Sequence, residues 1–457
     1  MKRTLALLVA LAALLVVAAP AMAESKTETF RFPVDVKGYQ VKQDMTFNIP
    51  HPQVDGHITG MSVDVVDEDG TPVPISRLML HHIVFLTLGA QNPACKSYTA
   101  FDANQKLPAL ATPIYGAGEE RNVLALPPGY GVKLGAKDPW LMTWMLMNHK
   151  KTEDKAFIEW KVTTTTDPVK DVHPYWLDVK NCNADPIFSV PGGGKPGSTY
   201  TKTYDMTMPE SGHIVAAGGH VHGGAKDLRI SQPDCIDDRT IITSEPAWGM
   251  PSHPFYNVKP ILHEPGPIQM KGTLSAQGFP VAAGQRLRLT ANYDNELPHT
   301  RVMGISMVYL APSDTPVDGC GPLPTDVQTF QTSLPHRTIT PRFKVPIVGL
   351  DANGKAVNIS RPAGPTKSLK SGAKIDVKNF FFSRPNVAVK RGTTLNWLFK
   401  SDNRELHNVT LANGPRGFAS PNQSTDAKFS YKFKKRGKYQ IFCALHPVAM
   451  TETVTVK

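Results

Sequence analysis

Cysteine is scarce in this chain: there are five in 457 residues. Cys95, Cys182, Cys235 and Cys320 are scattered and allow two disulfides in any of three pairings, which fits an oxidising compartment. Cys443 is left as the odd one and needs another explanation. Long apolar runs are also missing beyond the first two dozen residues, which excludes a membrane-spanning helix in the rest of the chain. The one run that exists, MKRTLALLVALAALLVVAAPAMA, starts with Lys2 and Arg3 and ends in Ala21-Met22-Ala23. That is the pattern of a secretory signal peptide over residues 1–23, so an exported, periplasmic or extracellular product is expected. Acidic residues are in the minority, 39 against 50 basic ones. The excess is local: residues 372–457 carry 15 Lys and Arg against 5 Asp and Glu, a net +10. Such a tail suits an anionic partner or serves solubility alone. No nucleic-acid-binding motif accompanies the charge.

Helical periodicity is scarce as well. Short β-branched and aromatic runs take its place, among them "HHIVFLTLG", "AFIEWKVTTTT", "QRLRLTANYD" and "GISMVYLAP". Turn residues separate them, with 35 Gly and 40 Pro in the chain, and the pattern predicts an all-β protein of sandwiches or barrels. "FSVPGGGKPGS" marks a boundary near residue 188, and a Pro-, Ser- and Thr-rich connection runs through 313–371 around "RFKVPIVGL". The expected units are residues 24–187, 188–312 and, after the connection, 372–457.

The strongest chemical signal is "FCALHPVAM", which spaces Cys443, His446 and Met450 as Cys-x2-His-x3-Met behind a strand. His407 in "ELHNVTL" supplies a fourth candidate. A thiolate, two imidazoles and a weak axial thioether are the ligands of a type 1 (blue) copper centre, and ligation explains the odd cysteine. The segment 372–457 resembles the plastocyanin/azurin family of cupredoxins, with a His-to-Met gap one residue shorter than in plastocyanins. The resemblance implies a Greek-key sandwich and one-electron transfer.

"GGHVHGG" at 218–224 poses the second question. On a strand, His220 and His222 point to one face about 6.6 Å apart and can share an ion. His81 and His82 are adjacent in "LMLHHIVFLTL", so a regular strand turns them to opposite faces, and joint ligation needs a bulge or a strand end. Taken singly, His149 after "WLMTWMLMN" reads as a strand-end histidine and Met303 as core. His51, His57, His173, His253, His263 and His336 have no ligand-like partner in sequence, and His213 and His299 lie near the proposed ligands.

Taken together and in this order, these stretches resemble the copper type II, ascorbate-dependent monooxygenases, which include peptidylglycine α-hydroxylating and dopamine β-monooxygenases. That likeness spans roughly residues 30–312. It implies two jelly-roll-like β-sandwich domains facing each other across a solvent-filled cleft, with two further mononuclear coppers. His81, His82 and His149 match the electron-storing copper, and His220, His222 and Met303 match the oxygen-activating one. In the peptide-amidating members an arginine precedes the H-x-H by two residues, where this chain has Gly218. An asparagine and a tyrosine follow the methionine there, where this chain has Ile305 and Met307. A less polar substrate fits better.

Three functions are therefore in play. The first is a copper monooxygenase that hydroxylates a C–H bond with O2. Its electrons would come through the blue copper from an acidic redox partner or a small anionic reductant. The second is a non-catalytic copper protein for storage, delivery or electron transfer. The third is a blue-copper tail on a β-rich scaffold. Whether the tail docks beside His81 and His82 or swings on its connection is open at this level.

Overall fold

The computed structural model describes residues 25–89, 97–99, 106–108, 110–180 and 186–457. The expected signal peptide, Cys95 and Cys182 lie outside them. The protein is all-β, and one short 3-10 turn, Pro254–Asn257, is its only helical element among the described residues.

The most apolar strands take the central places. Trp140–Asn148 is buried at all but one position and is flanked by Val41–Phe47 and Leu78–Leu88, with Ala111–Gly118 beyond the latter. Gly304–Pro312 is buried up to its last residue and sits between Lys170–Asp178 and Gly212–Val221. A strand covered on both faces has no use for polar alternation, which explains these continuous runs. Two core clusters result. In one, Trp140, Trp144 and Trp160 pack with Phe85 and Tyr115. In the other, Leu228, Leu287 and Leu289 face Ile214, Val308 and Leu310.

One long sheet runs through both front units. Its order is Lys26–Val36, Asp154–Thr165, Gly56–Val66, Tyr130–Leu134, Lys170–Asp178, Gly304–Pro312, Gly212–Val221, Gly272–Val281 and Gln328–Phe330. The ladder between Lys170–Asp178 and Gly304–Pro312 is the seam. The front units are thus two halves sharing a hydrogen-bonded sheet at the place where the monooxygenase likeness implied a cleft. Separate four-stranded sheets complete each half.

The C-terminal sandwich has a five-stranded sheet in the order Lys367–Ser368, Asn386–Val389, Thr451–Val456, Gly437–Phe442, Thr410–Asn413. It packs on a four-stranded sheet containing Thr394–Phe399. Parallel and antiparallel pairs mix in both sheets.

This sandwich is docked. Oγ1 of Thr300 donates to the Leu411 carbonyl at 2.8 Å, a guanidinium N–H of Arg301 donates to the Ser420 carbonyl at 3.3 Å, and the Gly417 amide donates to the Pro191 carbonyl at 2.9 Å. Side chains of the tail and of the second front half belong to one apolar cluster. The connection also lies against the body. It forms the hairpin Val348–Leu350/Ala356–Asn358, and the Ala356 amide donates to the Tyr39 hydroxyl at 3.0 Å.

Cys235 and Cys320 form a disulfide across 85 residues. Closing a loop of that length removes about 4–5 kcal/mol of unfolded-state entropy in the chain-entropy model. Cys320→Ser is therefore expected to lower the unfolding free energy by about 4 kcal/mol, and equilibrium unfolding in denaturant checks it.

Candidate metal centres

In the tail, three backbone bonds close the loop that carries the chemistry. The Cys443 amide donates to the Met450 carbonyl, the His446 amide to the Cys443 carbonyl and the Met450 amide to the His446 carbonyl, each at 3.0 Å. They fold Cys-x2-His-x3-Met into one compact turn with Met450 fully buried. His407 arrives from a neighbouring segment, fixed by reciprocal 2.9 Å bonds with Gln423. His407, Cys443 and His446 present ligand atoms within 4.8 Å of one another. The two Nδ1 atoms are 3.2 Å apart, and Cys443 Sγ lies 3.6 Å from His446 Nδ1. Each imidazole has its other nitrogen occupied, His407 Nε2 by Asn379 Oδ1 at 3.1 Å and His446 Nε2 by Glu405 at 3.0 Å.

Asn408 staples the thiolate. Its amide points at Cys443 Sγ at 3.4 Å, and its Oδ1 accepts from the Ala444 amide at 2.8 Å. Burial alone would push the Cys443 thiol up, but hydrogen bonds from His407 and His446 outweigh it and bring it down to about 6. A soft, deprotonated sulfur between two imidazoles suits copper.

The plastocyanin/azurin family of copper binding proteins matches residues 369–457. This domain has the cupredoxin fold. Similar solved structures include a purple cupredoxin from Nitrosopumilus maritimus, 29% identical over 19% of this chain and 99% of that one, with a TM-score of 0.17. A reduced amicyanin variant is 29% identical over 19% of this chain and 83% of its own, with the same TM-score of 0.17. No curated protein matches the chain.

The second cluster lies in the front halves. His81 falls at an irregularity of the ladder, where Met145 pairs with His82 and Leu146 with Leu80. The bulge leaves His81 without a partner and lets the adjacent histidines meet, with Nδ1 atoms 3.1 Å apart. His220 is the penultimate residue of the strand Gly212–Val221 and His222 follows its end, their Nε2 atoms 3.2 Å apart. Glycine is required around them. A Cβ on Gly118 would lie 2.5 Å from the His220 ring, and one on Gly224, at φ +86°, would lie 2.4 Å from the His299 ring.

The structure brings the two expected ligand sets into contact. The rings of His81 and His222 are 4.9 Å apart. His263, which carries no ligand signal in the sequence, lies 4.6 Å from His81 and 5.7 Å from His222, ring to ring. His81, His222 and His263 offer ligand atoms within 4.8 Å of one another. Met303 is tied to this place by Tyr293, whose hydroxyl accepts from the His222 amide at 3.0 Å and donates to the Met303 carbonyl at 2.5 Å. His149 stands nearby, half-buried, and belongs to neither three-residue group.

Buried carboxylates orient the rings. Glu120 lies 3.0 Å from His220 Nδ1, and Glu119 lies 2.8 Å from His263 Nε2. Burial, with the neighbouring imidazoles, holds His81 and His222 well below the usual histidine range, His82 at about 3 and His149 at about 4. Burial would lower His220 too, but Glu120 outweighs it and raises that group. Neutral imidazoles with lone pairs free are what a metal ion requires.

The segment bearing His263 is braced by His299, whose Nδ1 contacts Glu264 at 2.9 Å. Burial opposes its charge, yet Glu264 and Asp294 raise it to about 9. A folded-state value above the unfolded one adds stability that is complete below about pH 6.5 and lost as pH rises through 9. His299→Gln is expected to flatten that decline, which thermal melts from pH 6 to 10 would show.

Proposed function

We propose that the protein is a copper redox enzyme in which the cupredoxin delivers single electrons to a copper centre at the front histidines, where O2 hydroxylates a C–H bond of a small apolar molecule. The observation that carries this reading is a cavity of about 40 Å³ shared by the two sites. Phe442, Ala444 and Leu445, which flank Cys443, line one side, and His81, His82, His263 and Met303 line the other. Only this small cavity and its walls lie between the two ligand sets there, so the blue copper's own loop offers a route to the front imidazoles. Copper supplies the one-electron steps and the O2 reactivity; the residues supply position and a dry environment.

A second cavity, of about 90 Å³, opens beside His82, His220 and Met303. Its wall is mostly apolar and includes Trp176, Phe330, Ile305 and Met307. Ile305 and Met307 occupy the positions of the absent polar clamp, and a Cβ on Gly218 would meet nothing within 4 Å. A cavity of about 150 Å³ accommodates benzene, so this one suits a smaller molecule. The reaction takes R–H, O2, two electrons and two protons to R–OH and water. The electrons come from an external one-electron reductant, and the net +10 of the tail favours an acidic partner protein or a small anion. Phe380, 46% exposed and 5.0 Å from the His446 ring, offers an apolar contact beside the blue site.

The test is oxygen uptake by the copper-loaded, pre-reduced protein with hydrocarbons of two to four carbon atoms, with 18O followed into product. Uptake with labelled alcohol is expected. Uptake no greater than that of copper-free protein across the panel would sink the reading. A copper reservoir is the second reading, favoured by the burial of His81 and His222, 8% and 2% exposed. Copper transfer to an apo-acceptor without oxygen uptake would select it.

A further inference from the structure

Five imidazoles crowd the front cluster, and their hydrogen bonds sort them into two kinds. His263 has Nε2 held by Glu119 at 2.8 Å, which leaves Nδ1 as its free nitrogen. His81 has Nδ1 against His82 Nδ1 at 3.1 Å, which leaves Nε2. His222 has Nε2 against His220 Nε2 at 3.2 Å, and its Nδ1 is buried with no hydrogen-bond partner among the described residues. The tautomers are mutually consistent. Nδ1–H of His220 donates to Glu120, so His220 Nε2 accepts from His222 Nε2–H and the lone pair of His222 Nδ1 is free. An orphaned nitrogen on a side chain 2% exposed is costly unless something occupies it.

The geometry points to one three-imidazole copper site formed by His81 Nε2, His222 Nδ1 and His263 Nδ1, in which His82, His220 and Glu119 hold the rings and are not ligands. Each adjacent pair, His81-His82 and His220-x-His222, contributes one ligand and one support. The site spans the seam between the two front halves, since His81 comes from the first and the other two from the second. His149 belongs to no such three-residue group, and Met303 lines the adjoining cavity and is not counted among the ligands. As in the cupredoxin, where Asn379 and Glu405 hold the far nitrogens of two ligand histidines, Glu119 holds the far nitrogen of His263. This inference deepens the reading above and rests only on its front copper, not on its O2 chemistry.

The test uses the full chain with the blue site dismantled by Cys443→Ser and His407→Ala, loaded with copper. Native mass spectrometry is expected to find one tightly held copper, and X-ray absorption of the reduced form is expected to show three nitrogen neighbours and no sulfur. A copper–sulfur shell, or no retained copper, overturns the proposal. In the otherwise unaltered chain, His263→Ala is expected to lose the front copper and keep the blue band, which reports that the chain is folded. Met303→Leu and His149→Ala are expected to keep both coppers. His220→Gln is expected to weaken the front copper by about 10–100-fold, the cost of losing a ring's orienting partner. Undiminished copper affinity in His263→Ala, or loss of the front copper in Met303→Leu, overturns it equally. Oxygen uptake can fail with all of these results intact, so the two readings fall separately.

Discussion

Cys443→Ser is expected to abolish the intense thiolate-to-copper absorption of the cupredoxin and its ability to accept electrons, while the rest of the chain keeps its fold. The sulfur is fully buried, and its thiol is brought down to about 6 by His407 and His446, so a thiolate is available at neutral pH. A serine hydroxyl titrates far above that range and is a hard donor, so the covalent copper–sulfur character disappears with the substitution. The remaining imidazoles still attract copper, which separates loss of colour from loss of metal. The Asn408 amide, now 3.4 Å from Sγ, loses a polarisable acceptor in a closed site. That loss costs about 1–3 kcal/mol of domain stability, the usual penalty for a buried donor left weakly satisfied. Visible absorption and EPR of the copper-loaded variant, with copper counted by mass, check the first effect, and thermal melting of the apoprotein checks the second. An intense blue band in the variant would mean that Cys443 is not the ligand.

The ease of reading the two sites from sequence differed for a physical reason. Cys443, His446 and Met450 sit in one loop closed by its own backbone, so spacing alone encodes their convergence, and only His407 arrives from elsewhere. The front cluster is assembled from a bulge, a strand end and a long loop. The pairs His81-His82 and His220-x-His222 were legible as pairs, and the need for a bulge at the first was legible too. Which pair meets which was not, because that depends on the ladder between Lys170–Asp178 and Gly304–Pro312, formed by strands more than a hundred residues apart. His263 lies in "ILHEPG", a segment without periodicity, and its role depends on Glu119 and His299. The adjacent acids Glu119-Glu120 and the His263-Glu264 pair were the only available signal, since buried histidines that bind metal need carboxylates to orient them. The all-β class followed from runs such as "GISMVYLAP", whereas the continuous sheet did not, because an apolar strand does not declare its neighbours.

His222→Ala is expected to leave the blue copper intact and to slow reoxidation of the reduced cupredoxin by O2 by more than about 100-fold, beyond the cost usually seen for losing a supporting residue alone. The reasoning starts from position. His222 is 2% exposed, its ring contacts those of His81, His220 and His263, and its amide is anchored by Tyr293. Truncation removes the ring that links the two front halves at their seam, yet the Tyr293 bond to the backbone amide survives, so the strand end and Met303 keep their places. The cupredoxin loop touches the shared cavity through Phe442, Ala444 and Leu445 and makes no bond to His222, so its own ligands are undisturbed. The effect therefore appears in electron flow and not in colour. Stopped-flow absorption gives both quantities at once, the amplitude of the blue band and the rate at which it returns after reduction. A variant that reoxidises at the parent rate would show that electrons leave the cupredoxin by another path, through the edge formed by half-buried His446 and exposed Phe380, and that the cavity between the sites carries none.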